Sequence, residues 1–127
     1  MPPRATFRPA ERVRRRAEFQ EIYDRGYRIR GRFSTIFLLN RGAGPSRLGI
    51  AATKKLGGAV QRNRAKRLIR EVFRRNKLAP GFDVVVVPRR EMLDASLIVL
   101  EADYRSLIER HLPRVERARR AAGHPGL

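Results

Sequence analysis

Residues 54–77 carry ten basic side chains and a single acidic one, Glu71. Most of the ten are arginines, whose guanidinium groups bind phosphate through paired hydrogen bonds and stack on aromatic rings. An exposed helix face usually mixes both signs of charge, because like charges one turn apart destabilise a helix. The segment therefore predicts contact with a polyanion. Its basic residues are Lys54, Lys55, Arg62, Arg64, Lys66, Arg67, Arg70, Arg74, Arg75 and Lys77.

The acidic residues and histidines do not indicate catalysis by this chain. Phosphodiester cleavage by two metal ions requires several carboxylates at one site. The four aspartates fall in separate predicted elements, and the eight glutamates are equally dispersed. His111 and His124 have no partner at a nuclease-like spacing. The sequence therefore predicts no catalytic residue and no bound metal. The aspartates are Asp24, Asp83, Asp94 and Asp103.

Composition narrows the range of partners. The 127 residues carry a formal net charge of +18, which creates a field that attracts polyanions. No apolar run approaches the ~20 residues of a transmembrane helix, and the N-terminus lacks the apolar segment of a signal peptide. Without cysteine there is no disulfide, thiol nucleophile or Cys-ligated zinc. We expect a cytoplasmic protein that binds nucleic acid and not a membrane.

Periodicity predicts a single α+β domain over residues 1–127. Its ordered core spans about 12–112, and the basic ends, 1–11 and 114–127, are expected to be loose or frayed. Residues 96–100 are ambiguous, and the tail after Pro113 either extends the last helix or frays. The predicted elements are a helix at 15–25, strands at 33–40 and 47–53 paired as a hairpin, a helix at 59–76, a strand at 82–88 and a helix at 101–112.

The helix predicted at 59–76 has two chemically different sides. At 100° per residue, an apolar stripe lies opposite a cationic band that extends about 20 Å from Asn63 to Lys77. Asn63 is the uncharged member of the band. Its amide could contact a base edge, a ribose hydroxyl or a metal-bound water, or could make an ordinary hydrogen bond at the helix start. The stripe consists of Ala65, Leu68, Ile69, Val72 and Phe73, and the band of Asn63, Lys66, Arg67, Arg70, Arg74 and Lys77.

A second candidate surface combines the first helix with the strand at 47–53. Phe19 and Tyr23 share one face of the helix and belong either to the core or to a surface on which unpaired bases stack. Alternate residues of the strand are unusually small, which suits either a shallow groove or close packing of a helix. The small set is Gly49, Ala51 and Thr53, and the opposite, core-facing set is Leu48, Ile50 and Ala52.

The motif in the basic segment strongly resembles the RNR signature of the bacterial ribonuclease P protein component. It reads Ala59-x-x-Arg62-Asn63-Arg64-x-Lys66-Arg67-x-Ile69-Arg70 and follows Lys54-Lys55-Leu56-Gly57. Residues 19–23, 47–50 and 83–87 resemble other segments of that family, so the resemblance covers roughly 12–112. Two features depart from it: Ala65, where a bulkier aliphatic residue is usual, and the segment 94–100, which is longer than expected.

The resemblance implies a fold with the element order αβββαβα. In it a left-handed crossover through the RNR helix joins two parallel strands, as in domain 2 of ribosomal protein S5. The residues alone would favour a right-handed crossover, which is the general rule for parallel strands.

The resemblance also implies a function in tRNA maturation. The catalytic RNA subunit removes the 5′ leader of precursor tRNA with Mg²⁺, while the protein binds no cofactor, carries no catalytic residue and does not bind DNA. A ribosomal protein or another structural RNA-binding protein of similar fold is the alternative. The residues implied to face the RNA subunit are Arg62, Asn63, Arg64, Lys66, Arg67 and Arg70, and those implied to line or flank a leader cleft are Phe19, Tyr23, Lys54 and Lys55.

Overall fold

The computed structural model describes residues 9–122, with side chains through residue 116. Three α-helices and four β-strands follow one another in the order αβββαβα, which confirms the predicted α+β class. Short 3₁₀ turns precede α1, α2 and α3. The elements are α1 (Arg16–Arg25), β1 (Tyr27–Arg30), β2 (Ser34–Asn40), β3 (Arg47–Ile50), α2 (Ala59–Arg75), β4 (Phe82–Pro88) and α3 (Leu97–Ala122).

The strands form one mixed sheet in the order β1-β2-β4-β3. β4 pairs antiparallel with β2 and parallel with β3. The predicted hairpin between 33–40 and 47–53 is therefore wrong, because β4 lies between those two strands. Its run of valines is buried on both faces, and only an inner strand covered by helices on both sides provides that environment. Helix α2 joins the parallel neighbours β3 and β4; the left hand of that crossover stays a prediction.

The hairpin of this fold is formed by β1 and β2. Tyr27–Arg30 pairs antiparallel with β2, and pattern analysis of the residues alone missed it. The strand is only four residues long, and its two arginines, Arg28 and Arg30, are exposed while Ile29 is buried. Short, charged strands are typical of sheet edges, where they prevent pairing with other chains.

Helices cover both faces of the sheet. α2 and α3 pack on one face, where Leu48, Val84 and Val86 contact a large apolar cluster. α1 packs on the other face, where Ile22 and Val85 belong to a smaller cluster. Because strand side chains alternate, each inner strand contributes to both clusters.

Helix α3 is longer than predicted at both ends. It begins at Leu97, where the Ser96 hydroxyl accepts a hydrogen bond from the Val99 N–H at 3.3 Å. Serine at this capping position is a common start signal, so residues 96–100 belong to the helix start. The helix continues through Pro113 to Ala122, and Val115 beyond the proline is 4% exposed. Residues 123–127 lie outside the described residues.

Residues 9–13 pack along β3. Pro9–Glu11 forms one 3₁₀ turn, and the Val13 N–H donates to the Leu48 carbonyl at 2.9 Å. Glu11 is buried and pairs with Lys77 at the end of α2 at 2.8 Å. This part of the N-terminal arm is thereby tied both to the sheet and to α2. Residues 1–8 lie outside the described residues.

Candidate nucleic-acid interface

Helix α2 has the two-sided character that its periodicity predicts. Ala65, Ile69, Val72 and Phe73 are buried against the sheet and α3, and Leu68 is half-buried. Ala65 is 0% exposed, so the small residue at this position lies within close packing. The opposite side, which we call the outer face of α2, consists of Asn63, Lys66, Arg67 and Arg70.

The outer face of α2 is cationic and uncompensated. Arg67 and Arg70 are exposed, and neither has an acidic partner among residues 9–116. The two arginines of the RNR motif lie on its flanks. Arg62 is half-buried, whereas Arg64 is exposed and borders a separate depression beside Arg90. The side chains of the motif therefore point in different directions around the helix axis. Asn63 lies on the outer face, and Arg62 and Arg64 point to its two sides.

At the C-terminal end of the predicted cationic band, ion pairs balance the charge of Arg74 and Lys77. Arg74 pairs with Glu71 one turn away, and its guanidinium lowers the pKa of that carboxyl below the ordinary value. Arg75 also contacts Glu71, at 3.5 Å, and Lys77 is paired with Glu11. The cations of the helix that have no acidic partner among residues 9–116 thus lie between Arg62 and Arg70.

Arg12 lies beside the outer face of α2, and the sequence pattern did not indicate it. It lies in the N-terminal segment, bridged to Leu48 of β3, and borders a hollow on the outer face of α2. Because only tertiary packing brings residue 12 beside α2, no local pattern in the sequence could have indicated it. The hollow is lined by Arg12, Asn63, Arg67, Arg70, Glu71 and Arg74.

The aromatic residues of α1 lie between helix and sheet. The Phe19 ring covers Gly49 so closely that a Cβ there would stand 2.8 Å from the ring. Tyr23 contacts Phe37 of β2 edge-on, with ring centroids 5.0 Å apart. Both α1 aromatics are half-buried, and burial raises the pKa of Tyr23. Each ring therefore packs on the sheet while leaving part of its surface accessible.

Beside these rings the sheet presents partly exposed apolar residues. Phe37, Ala51 and Val87 are half-buried there against the α1 cluster. We call Phe19, Tyr23 and these three residues the α1 groove. On the small face of β3 Phe19 packs on Gly49, as close packing of a helix predicts, and Ala51 is half-buried; the groove stays a prediction. Phe37 and Val87 could have been found from the strict alternation of β2 and β4, had the strand order been known.

Basic residues border this side of the sheet. Arg28 and Arg30 of the edge strand β1 are exposed and lie opposite Phe37 and Thr35 of β2. The predicted residues Lys54 and Lys55 are also exposed, in the 3₁₀ turn that follows β3. Because β1 and β3 are the two edges of the sheet, the groove lies between two basic margins.

An ion-pair network connects α1 to the sheet. Asp83 of β4 is 1% exposed and accepts two hydrogen bonds from Arg47 of β3, at 2.9 and 2.7 Å. The third guanidinium nitrogen of Arg47 donates to Glu18 of α1 at 2.6 Å. The second oxygen of Glu18 accepts the N–H of Arg15 at 3.1 Å, which caps the helix start. The Arg15 N–H and the Arg47 guanidinium lower the pKa of Glu18 to about 2.

Within the described residues, no three His, Asp or Glu side chains cluster in a way that could hold a metal ion. Asp83 is committed to Arg47 and Arg41. His111 packs beside Tyr27 with ring centroids 5.6 Å apart, and burial lowers its pKa. His124 lies outside the described residues. Among the described helices, none has the length and apolar character needed to cross a membrane.

Comparison with known proteins identifies the family. The fold and the basic two-sided helix define a small α+β domain of the ribonuclease P type, and the family model described as Ribonuclease P matches residues 7–112. The chain belongs to the ribonuclease P protein component family and is a subunit of the enzyme in tRNA processing, with an RNA subunit as its partner.

Individual relatives agree with that assignment. The ribonuclease P protein component of Thermotoga maritima is 39% identical over 89 residues, which cover 68% of this chain and 76% of the relative. That of Clostridioides difficile is 31% identical over 107 residues, covering 82% and 94%. The solved structure of the Thermotoga maritima protein superposes with a TM-score of 0.70 at 34% identity, covering 79% of this chain and 96% of that one. The alternative of a ribosomal protein finds no support in these matches.

Proposed function

We propose that this chain binds the RNA subunit through the outer face of α2. The observation that carries the proposal is the pair Arg67 and Arg70, exposed opposite the buried stripe and without acidic partners among residues 9–116. Such cations release counterions from RNA when they approach its phosphates, which gives affinity that depends on salt and not on sequence. Arg62, Arg64 and Lys66 extend the contact to the flanks, and Asn63 adds an uncharged donor and acceptor.

The α1 groove is the proposed binding site for the 5′ leader of precursor tRNA. Single-stranded nucleic acid is commonly bound by aromatic rings that stack on bases and by cations that follow the backbone. Partly exposed Phe19 and Tyr23 supply the rings. Lys54 and Lys55, at one margin of the sheet, supply cations. We assign the groove to the unpaired leader, because partly exposed aromatic rings can stack on single-stranded bases.

In this proposal the chain contributes no catalytic group. The RNA subunit cleaves the phosphodiester that joins leader and tRNA, and Mg²⁺ is coordinated by RNA. The protein's share is electrostatic: its net charge of +18 replaces counterions on crowded phosphates and lowers the Mg²⁺ concentration that the RNA needs. The proposed place of action is the cytoplasm.

A reconstitution assay tests this division of labour. Precursor tRNA is incubated with protein alone, RNA subunit alone and both together, over a Mg²⁺ titration. We expect no cleavage by the protein, cleavage by the RNA only at high Mg²⁺, and cleavage by the complex at low Mg²⁺. Site-specific, metal-dependent cleavage by RNA-free protein would contradict the proposal. Mature tRNA without a leader serves as the uncleavable control.

A further inference from the structure

The network of Glu18, Arg47 and Asp83 lies between α1 and the sheet, beside the packing of Phe19 on Gly49. Glu18 directly precedes Phe19, and Arg47 lies two residues before Gly49 on the same face of β3. Phe19 rests on Gly49. The ionic contact between α1 and β3 therefore lies beside the aromatic contact between the same two elements, at the end of the α1 groove.

Arg47 is committed to these carboxylates. Its Nε and Nη2 donate to Asp83, its Nη1 donates to Glu18, and its side chain is only 17% exposed. Bidentate pairing of a planar guanidinium fixes orientation as well as distance. In a chain rich in exposed arginine, this one is directed inward and is not available to RNA phosphates.

We propose that Glu18, Arg47 and Asp83 are positioning residues for the leader: they fix the height of α1 above the sheet, and so the width of the α1 groove, without contacting RNA. The inference rests on the proposed function of the groove. Asp83 lies in the inner strand β4 and directs Arg47, and Arg47 in turn holds the first turn of α1 through Glu18.

An apolar contact could hold α1 on the sheet equally firmly, but it would let the helix slide along the sheet, because apolar packing is not directional. Buried polar pairs tolerate few geometries, and in some systems they are retained because they specify one arrangement. Ile22, the buried residue of α1, supplies nondirectional packing. The ion network adds the directional constraint at the end of the helix where Phe19 meets the sheet.

The variant Glu18→Gln tests the proposal in the reconstituted holoenzyme. The amide oxygen can still accept the Arg15 N–H, so the helix start remains capped while the ionic contact to Arg47 is lost. The ratio of the Kd for mature tRNA to the Kd for precursor tRNA measures the affinity gained from a 5′ leader. We expect this ratio to fall about three- to tenfold. Binding of mature tRNA should stay within about twofold, because it does not use the groove.

A second readout reports helix position directly. In the folded protein the Phe19 ring should shift the proton resonance of the Gly49 Hα by its ring current, and Glu18→Gln should reduce that shift. The matched control is Glu21→Gln on the same helix, whose partner Arg25 is exposed; it should change neither readout. If Glu18→Gln does not fold, Arg47→Lys replaces it, since lysine keeps the charge and loses the bidentate geometry.

The outcomes separate the inference from the proposed function. An unchanged leader ratio and an unchanged Gly49 resonance in folded Glu18→Gln would overturn the positioning role, as would equal loss for both substrates. Tyr23→Ala is measured in parallel. If Tyr23→Ala leaves the leader ratio intact, the groove is not the leader site and the proposed function fails. If Tyr23→Ala lowers the ratio while Glu18→Gln does not, only the positioning inference fails.

Discussion

The outer face of α2 and the α1 groove differ in how they are built. The first is one side of a single helix, and its cations have no acidic partners among residues 9–116. The second is assembled from a helix and three strands, and ion pairs of Arg47 with Glu18 and Asp83 join that helix to the sheet. The helix face should therefore act through charge and respond to salt, whereas the groove should act through shape and respond to displacement of its parts.

Loss of Asp83 should produce the largest effect. Asp83→Ala leaves Arg47 buried without its main partner, which typically costs about 3–5 kcal/mol of unfolding free energy. Urea denaturation measures the change. Glu21→Ala, which removes an exposed ion pair, should cost about 0–1 kcal/mol and serves as control. Similar values for the two variants would show that the buried network adds no more than a surface contact.

Acid titration provides the next test. The pKa of Glu18 is depressed in the folded state from 4.5 to about 2, so its contribution is complete above pH 4.5 and is lost as the pH falls towards 2. Glu18→Gln should lower stability at neutral pH by roughly 1.5–3 kcal/mol. The difference from wild type should disappear near pH 2, and denaturation curves at several pH values measure it. A difference in stability between wild type and Glu18→Gln that does not change with pH would contradict the lowered pKa of Glu18.

Tyr23→Ala tests the groove without disturbing the helix face. Stacking of one base on an aromatic ring contributes about 1–3 kcal/mol, so precursor tRNA should bind more weakly by that amount while mature tRNA is unaffected. Full core burial would instead predict about 3–5 kcal/mol lost from stability. Holoenzyme affinities and urea denaturation distinguish the two. A large loss of stability, together with an equal loss of affinity for both tRNAs, would show that Tyr23 acts as a core residue.

Tyr104→Phe alters neither surface and should have the smallest effect. The Tyr104 hydroxyl is buried beside the α2–α3 cluster without a hydrogen-bond partner among the described residues. Removing an unsatisfied hydroxyl should leave stability unchanged or raise it by about 1 kcal/mol. Thermal denaturation measures this, with Tyr27→Phe, whose hydroxyl accepts from Arg114, as control. A clear loss for Tyr104→Phe would indicate a bound water.

The sequence predicted the helix face better than the groove for a physical reason. The apolar stripe from Ala65 to Phe73 recurs at the helical period, so one element contains the whole pattern. The groove depends on strand order, and nothing local in residues 33–53 indicates that β4 separates β2 from β3. Arg12 and Phe37 were missed for the same reason. The start of α3 was readable from Ser96, whereas its passage through Pro113 was not.

We expect the outer face of α2 to bind the RNA subunit through charge. The direct test is to measure Kd for the RNA subunit as a function of salt, with wild type, Arg67→Gln and Arg70→Gln. Each variant should reduce the slope of log K against log salt by about one unit. Thermal stability should remain unchanged, because both side chains are exposed. Unchanged slopes in folded variants would contradict the account.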